Sequence, residues 1–248
     1  MSINKLKLNE DKTEFFVACA KHHLKYLKDI TLRIGDSIIT QSETVKLLGV
    51  RFDRHLTMSS YVNDVCRAAN FHLYKIGKIR NFLTESATIA AVRTLILTRM
   101  DYCNGLLYGA TSVVVRKLQL VQNSAARLVM RKSKREHTTP LLFHLHWLPV
   151  SARIEYKVAL MVFKCLQKTV PRYLQSAIEL YAPSRALRSS KLALCSQAQA
   201  NKCIGQRAFT VAGPLVWNAL PLHLRSTISS LDAFKSSLKT YLFKKYLY

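Results

Sequence analysis

The sequence predicts an α+β protein, a short β unit followed by a mostly α-helical remainder. Three observations carry that expectation. Up to Phe52 the apolar residues come in short β-branched or aromatic clusters broken by Gly and Asp, which is strand-and-turn chemistry. From Ser59 onward they recur every three or four positions, the period of an amphipathic helix. With 248 residues, 49% of them apolar, the chain has enough material to bury a sizeable core.

Taken in order, residues 2–12 read as a helix end running into an extended segment. Residues 13–18 (TEFFVA) read as a buried strand and residues 21–28 as a basic connector. Leu32 to Ile34 and Ser37 to Ile39 flank Gly35-Asp36, the pattern of a tight hairpin. Val45, Leu47, Val50 and Phe52 are strand formers, and Gly49 among them marks a bulge or a point of close backbone approach.

The helical part opens with Val62, Val65, Cys66, Ala69, Leu73, Ile76 and Ile79 on one face and Arg67, Asn70, Lys75 and Lys78 off it. A second helix starts at a Thr84 cap, with Glu85 in its first turn, and runs through Ala87, Ala91, Val92, Leu95 and Ile96 to about Arg99. Residues 101–110, with two glycines and two tyrosines, form an ordered break. A third helix begins near Thr111 and ends in the charge run Arg127, Arg131, Lys132, Lys134, Arg135. Cations there favour the helix C-terminus and also build a positive patch.

Residues 140–150 read as a compact apolar linker or a short helix stopped by Pro149, with Trp147 a packing anchor. Ser151 caps a fourth helix, and Pro171 and Pro183 fence a short one. Residues 184–207 read as loop with a short strand near 192–195, and residues 209–224 as a compact irregular unit built on Gly213-Pro214, Trp217-Asn218 and Leu220-Pro221. A last helix follows a capping box at Ser229 and Asp232. These readings divide the chain into residues 1–58, 59–136, 137–183 and 184–248.

The formal charge is +24, of which +18 falls after Asp101. Such one-sided charge points to a polyanionic partner, nucleic acid before anionic membrane, or else to a surface drifting without selection. Six cysteines without a C-x-x-C pair read as buried thiols in a reducing compartment. No run reaches the roughly 18 apolar residues of a membrane span, and the charged N-terminus lacks a signal-peptide pattern, so an intracellular protein is expected. The start reads as though it lay inside a domain.

Catalytic signatures are missing: no phosphate loop, no G-x-G-x-x-G, no G-x-S-x-G and no H-E-x-x-H. His144 and His146 would share a face on a strand but lack further ligands. The only adjacent acidic pair, Glu10-Asp11, sits in a polar stretch before Lys12, short of the paired carboxylates that two-metal phosphoryl transfer needs. What the chain does offer is long amphipathic helices with basic outer faces and tyrosines at intervals, features of a protein that holds a nucleic-acid backbone.

Successive blocks then show a resemblance. SINKLKLNEDKTEFF (residues 2–16), VKLLGVRFD (45–53), HLYKIGKIR (72–80), YCNGLLYG (102–109), LQLVQNSAARL (118–128), LHWLPV (145–150), GQRAFTVAGPLVWNALP (205–221) and LDAFK (231–235) resemble, in this order, the end of the palm, the thumb and the C-terminal region of non-LTR (LINE-type, jockey-like) retrotransposon reverse transcriptases. The resemblance spans essentially the whole chain. It implies a truncated RNA-directed DNA polymerase fragment that binds primer-template, an RNA/DNA duplex or element RNA. The Mg²⁺-binding aspartates of the family belong to a part of the palm not matched here, so the chain alone is expected to be inactive and without a cofactor, with an upstream polymerase portion as a further partner. Carried over by position, Lys12, Lys46, Gly49 and Arg51 belong to the palm end, with Gly49 in a primer-grip hairpin, and residues 60–130 to a thumb riding on the duplex. Arg67, Lys75, Lys78, Arg127, Arg131, Lys132, Lys134 and Arg135 complete the expected nucleic-acid contacts. Two other readings stand beside it, a domesticated non-catalytic nucleic-acid-binding protein and a non-functional structural relic.

Overall fold

Short strands precede long helices in the computed structural model, which describes residues 9, 12–20, 23, 30–35, 37–183, 192–200, 204–226 and 230–248. The fold is α+β, and the change of apolar period after Phe52 marks the transition. Two compact units are formed, Met1–Asp64 and Val65–Tyr248.

In the first unit β1 (Phe15–Phe16) pairs parallel with β3 (Ser37–Ser42), and β2 (Thr31–Ile34) pairs antiparallel with β3. The register Ile34↔Ser37 leaves a two-residue turn, and Gly35 takes the positive φ of 59° that such a turn favours. The strand expected over residues 13–18 shrinks to Phe15 and Phe16, because only these two find ladder partners, Gln41 and Ser42. A second hairpin joins β4 (Thr44–Leu47) to β5 (Val50–Asp53), closing on the pair Leu47↔Val50. Gly49 is therefore not a bulge. It is a turn residue, with Leu48 at φ 48° and Gly49 at φ 84°, the pair of positive values that a type I′ turn requires. The Asp53 carboxylate accepts from Thr57 N and Met58 N, each at 2.8 Å, and so shapes the link from β5 to the first helix.

That helix, α1 (Ser59–Ile79), buries Val62, Ala69 and Ile76 as expected, whereas Ile79 is half exposed. Thr84 caps α2 (Glu85–Val92), its Oγ1 accepting from Ala87 N. The helix then continues through a π-helical segment (Arg93–Leu97) into α3 (Thr98–Asp101). Each π turn adds a residue to the helical repeat and rotates the side chains beyond it. Met100 beyond the segment is buried, as is Leu97 at its end, whereas Leu95 within it is exposed.

After a 3-10 turn (Asn104–Leu107) come α4 (Ser112–Val129), α5 (Thr139–His144) and α6 (Val150–Leu166). Pro149, rather than Ser151, is the N-cap of α6, and Ser151 lies exposed in its first turn. Trp147 is buried, as expected of an anchor. Gln119 and Gln122 of α4 hold the segment before α6: Gln122 Nε2 donates to Leu148 O at 2.8 Å, and Val150 N donates to Gln119 Oε1 at 2.9 Å. The amides in the block LQLVQN thus serve the fold.

The fenced helix is α7 (Arg172–Gln175). The short strand expected near residue 195 is a single antiparallel bridge, Leu180↔Cys195, held from the side by Asn218, which exchanges two hydrogen bonds with the Cys195 backbone. Residues 209–224 are not irregular: they form α8 (Phe209–Asn218) and the start of α9 (Leu222–Ser226), since Gly213 and Pro214 sit inside a helix packed closely on α6. The final helix is α10 (Leu231–Leu247). Ser229 of the expected capping box lies outside the described residues, and the N-cap is Ser230, without a side-chain cap bond. The main core gathers α6, α8, α9 and α10, with Phe163 stacked on Phe234 at 4.2 Å between ring centres and Trp217 beside them. Among the described residues no helix is long and apolar enough to cross a membrane.

Candidate nucleic-acid interface

The outer face of α1 is built by exclusion. Its apolar stripe turns Val62, Ala69 and Ile76 inward, so residues three, four and seven positions apart on the other side are left in solvent. Arg67, Phe71, Tyr74, Lys75 and Lys78 occupy that side, followed by Phe82 in the next turn. The aromatic members are as open as the basic ones: Phe71 is 54%, Tyr74 64% and Phe82 89% exposed. Lys75 Nζ lies 4.7 Å from the Phe71 ring centre and Lys78 Nζ 5.2 Å from that of Tyr74. These i, i+4 pairs hold each ammonium over a π face. The result is a strip of about four turns on which cations and flat apolar faces alternate.

A second basic segment joins the end of this strip. Arg80 is buried and spans the end of α1 and the end of α4, donating to Leu128 O at 3.0 Å, Val129 O at 2.7 Å and Leu83 O at 2.9 Å. Arg131 Nη2 in turn donates to Arg80 O at 3.5 Å. Residues 78–82 and 131–135, some fifty positions apart in sequence, are neighbours for this reason. Within the second segment the cations differ in kind. Arg127 spends its guanidinium on Glu136 O, at 2.8 and 3.1 Å, and closes the loop. Arg131 takes a left-handed φ of 51°, and Lys132 N bonds back to Arg127 O at 2.9 Å, the Schellman ending of a helix. Lys132, Lys134 and Arg135 are exposed.

The remaining expected contacts lie in the first unit. Lys12 is exposed, its backbone N donating to Asn9 Oδ1. Lys46 and Arg51 face one another across the β4–β5 ladder, and Arg51 Nε forms an ion pair with Asp64 at 3.1 Å. Gly49 sits at the hairpin tip beside Leu48, which is 83% exposed. Sequence reasoning missed Phe71, Tyr74 and Phe82. The signal was present, since all three fall off the apolar stripe and two of them stand four residues before a lysine.

The resemblance implies Mg²⁺ held by an aspartate pair. The chain has no two adjacent aspartates, and among the described residues no three His, Cys, Asp or Glu side chains gather where they could hold a metal ion. His144 ends α5 and His146 follows in a tight turn with φ 54°, so the two do not share a strand face. The residues present do not fit the metal, and no catalytic step is assigned to them. Comparisons with protein-family models, with curated proteins and with solved structures find no match to this chain.

Proposed function

We propose that this chain is the end of the palm, the thumb and the C-terminal region of a non-LTR retrotransposon reverse transcriptase, acting inside the cell to grip an RNA/DNA duplex rather than to extend it. The α1 strip supports the reading most directly. Lysines and an arginine at helical spacing can follow a phosphate backbone, and exposed rings between them can take up bases or sugar faces. Catalysis would need an upstream polymerase portion carrying the metal-binding aspartates. The net charge of +24 supplies the long-range attraction on which backbone binding depends.

The test is equilibrium binding of the full chain to a short RNA/DNA hybrid across a salt series. Replacing Arg67, Lys75 and Lys78 together by alanine should lower affinity and flatten the salt dependence by about 0.9 in log–log slope for each phosphate no longer neutralised. Affinity and slope that both stay at wild-type values would remove the strip from the interface, and binding that ignores salt would remove the reading itself.

A further inference from the structure

We infer that a cavity between α6, α10 and the end of α3 is a phosphate-binding site, separate from the α1 strip. The cavity measures about 320 Å³ and is lined by Asp101, Asn104, Arg153, Tyr156, Lys157 and Lys239 among others. Arg153 and Lys157 stand one turn apart on α6, and Lys239 comes from α10. One carboxylate belongs to the lining, and it is already engaged: Asp101 binds Arg153 Nη1 at 2.6 Å and accepts from Asn104 Nδ2 at 3.4 Å. Arg153 is also fixed by donating to Leu148 O at 2.9 Å. Its guanidinium is thus oriented rather than mobile.

Lys157 and Lys239 form no ion pair among the described residues. Although Lys239 reaches solvent, the partial desolvation of its stem side lowers its pKa, and the neighbouring Arg153 and Arg93 lower it further. Arg93 belongs to the π-helical segment, whose extra residue per turn resets the direction of its side chains. Asp101 matches one of these cations, Arg153, and the charge left over on a concave surface favours an anion seated among them. Phosphate suits the set better than a carboxylate, because it can receive several charge-assisted hydrogen bonds from separate directions at once.

The test uses the full chain and inorganic phosphate as the probe, with sodium chloride at matched ionic strength as the reference. Lysine labelling by an amine-reactive ester is read residue by residue in peptide mass spectra. Labelling at Lys157 and Lys239 should fall saturably, by roughly threefold when phosphate stands at twice its Kd, while Lys75 and Lys78 keep their rates. Equal labelling in phosphate and chloride, or the same protection at every lysine, would overturn the site. Both lysines are surface-accessible, so a K157Q/K239Q variant should fold and lose the calorimetric phosphate titration that K157R/K239R retains; a wild-type titration from the glutamine variant would also overturn it. Two competitors separate the sources of the phosphate. A dinucleotide that protects as well as a nucleoside monophosphate assigns the site to a strand backbone, and protection by the monophosphate alone assigns it to a free nucleotide. The inference does not rest on the duplex-binding reading, and the R67A/K75A/K78A variant should titrate phosphate normally even where hybrid binding is lost.

Discussion

Arg80 Nη2 donates to Val129 O at 2.7 Å, and through this bond the end of α1 closes the end of α4. The last carbonyls of a helix have no partner within it, and a buried arginine that reaches two of them, Leu128 O and Val129 O, replaces the water they would otherwise need. Arg80→Ala should therefore destabilise the protein by about 2–3 kcal/mol, the range for losing charged hydrogen bonds and stranding buried acceptors. Lysine should not restore it, since one ammonium cannot serve three separated carbonyls as a fork does. Urea unfolding measures the loss, and a change below about 0.5 kcal/mol, the range of ordinary surface substitutions, would show that the clamp carries no weight.

The residue just past the C-cap of α4 yields a prediction of opposite sign. Arg131 sits at φ 51°, where its Cβ is strained and glycine is not. Arg131→Gly should stabilise by about 0.5–1 kcal/mol after the extra unfolded-state entropy of glycine is subtracted. The same change removes a cation beside the strip, so hybrid affinity should fall while the thermal midpoint rises. A variant that loses both would show that the Arg131 Nη2 bond to Arg80 O outweighs the backbone strain.

Gly213 marks the closest approach in the main core. A Cβ there would stand 2.8 Å from Cδ1 of Ile178, in the segment after α7, and 3.0 Å from Cγ2 of Val162 in α6, both buried in the main core. Gly213→Ala should cost about 1–3 kcal/mol through overpacking, despite alanine's better helix propensity. A stability equal to or above wild type, read by thermal unfolding, would mean that the two side chains yield freely.

These positions show which parts of the molecule could be read in the chain. The period change after Phe52, the Thr84 cap, the buried face of α1 and the burial of Trp147 follow from local pattern, because each is settled by neighbours within a few residues. The burial of Met100 could not be read, since a π-helical segment leaves no mark in apolar spacing and turns the face beyond it. The helix at Phe209–Asn218 was obscured by Gly213-Pro214, a pair that breaks exposed helices but is held here by close packing on α6. For the candidate interface, the exposure of the α1 lysines was legible from helical spacing alone. Arg127 and Arg80 were not, because whether an arginine meets solvent or a carbonyl depends on residues about nine and fifty positions away.

Cys195 gives the fold a dependence on alkaline pH. Burial pushes its thiol up from the ordinary 9.0 to about 12, with Arg225 opposing the shift and Cys165 adding to it. Between these values the unfolded chain has released the proton and the folded chain has kept it, so the unfolded state binds fewer protons and stability falls as pH rises. Below pH 9 the group contributes no slope. Comparing urea midpoints of wild type and Cys195→Ala from pH 8 to 11 isolates it: the variant should lose less stability over that interval, and parallel curves would show that the thiol ionises freely in the folded protein.

The aromatic and basic members of the α1 strip should fail in different ways. On the proposed reading Lys75 and Lys78 meet phosphate by charge, so their loss should lower affinity most at low salt and reduce the salt slope. Phe71 and Tyr74 offer uncharged faces, and their loss should cost about 1–3 kcal/mol per stacked base on single strands, with the slope unchanged. A hybrid duplex keeps its bases stacked within the helix, so F71A/Y74A should weaken single-strand binding more than hybrid binding, whereas K75A/K78A should weaken both. The lysines also rest on the rings at 4.7 and 5.2 Å, which couples the two pairs. If the rings served only to hold the ammonium groups, F71A/Y74A would reproduce the smaller salt slope of K75A/K78A. Anisotropy titrations of the variants and the quadruple mutant, on both ligands across one salt series, decide between a stacking platform and a positioning one.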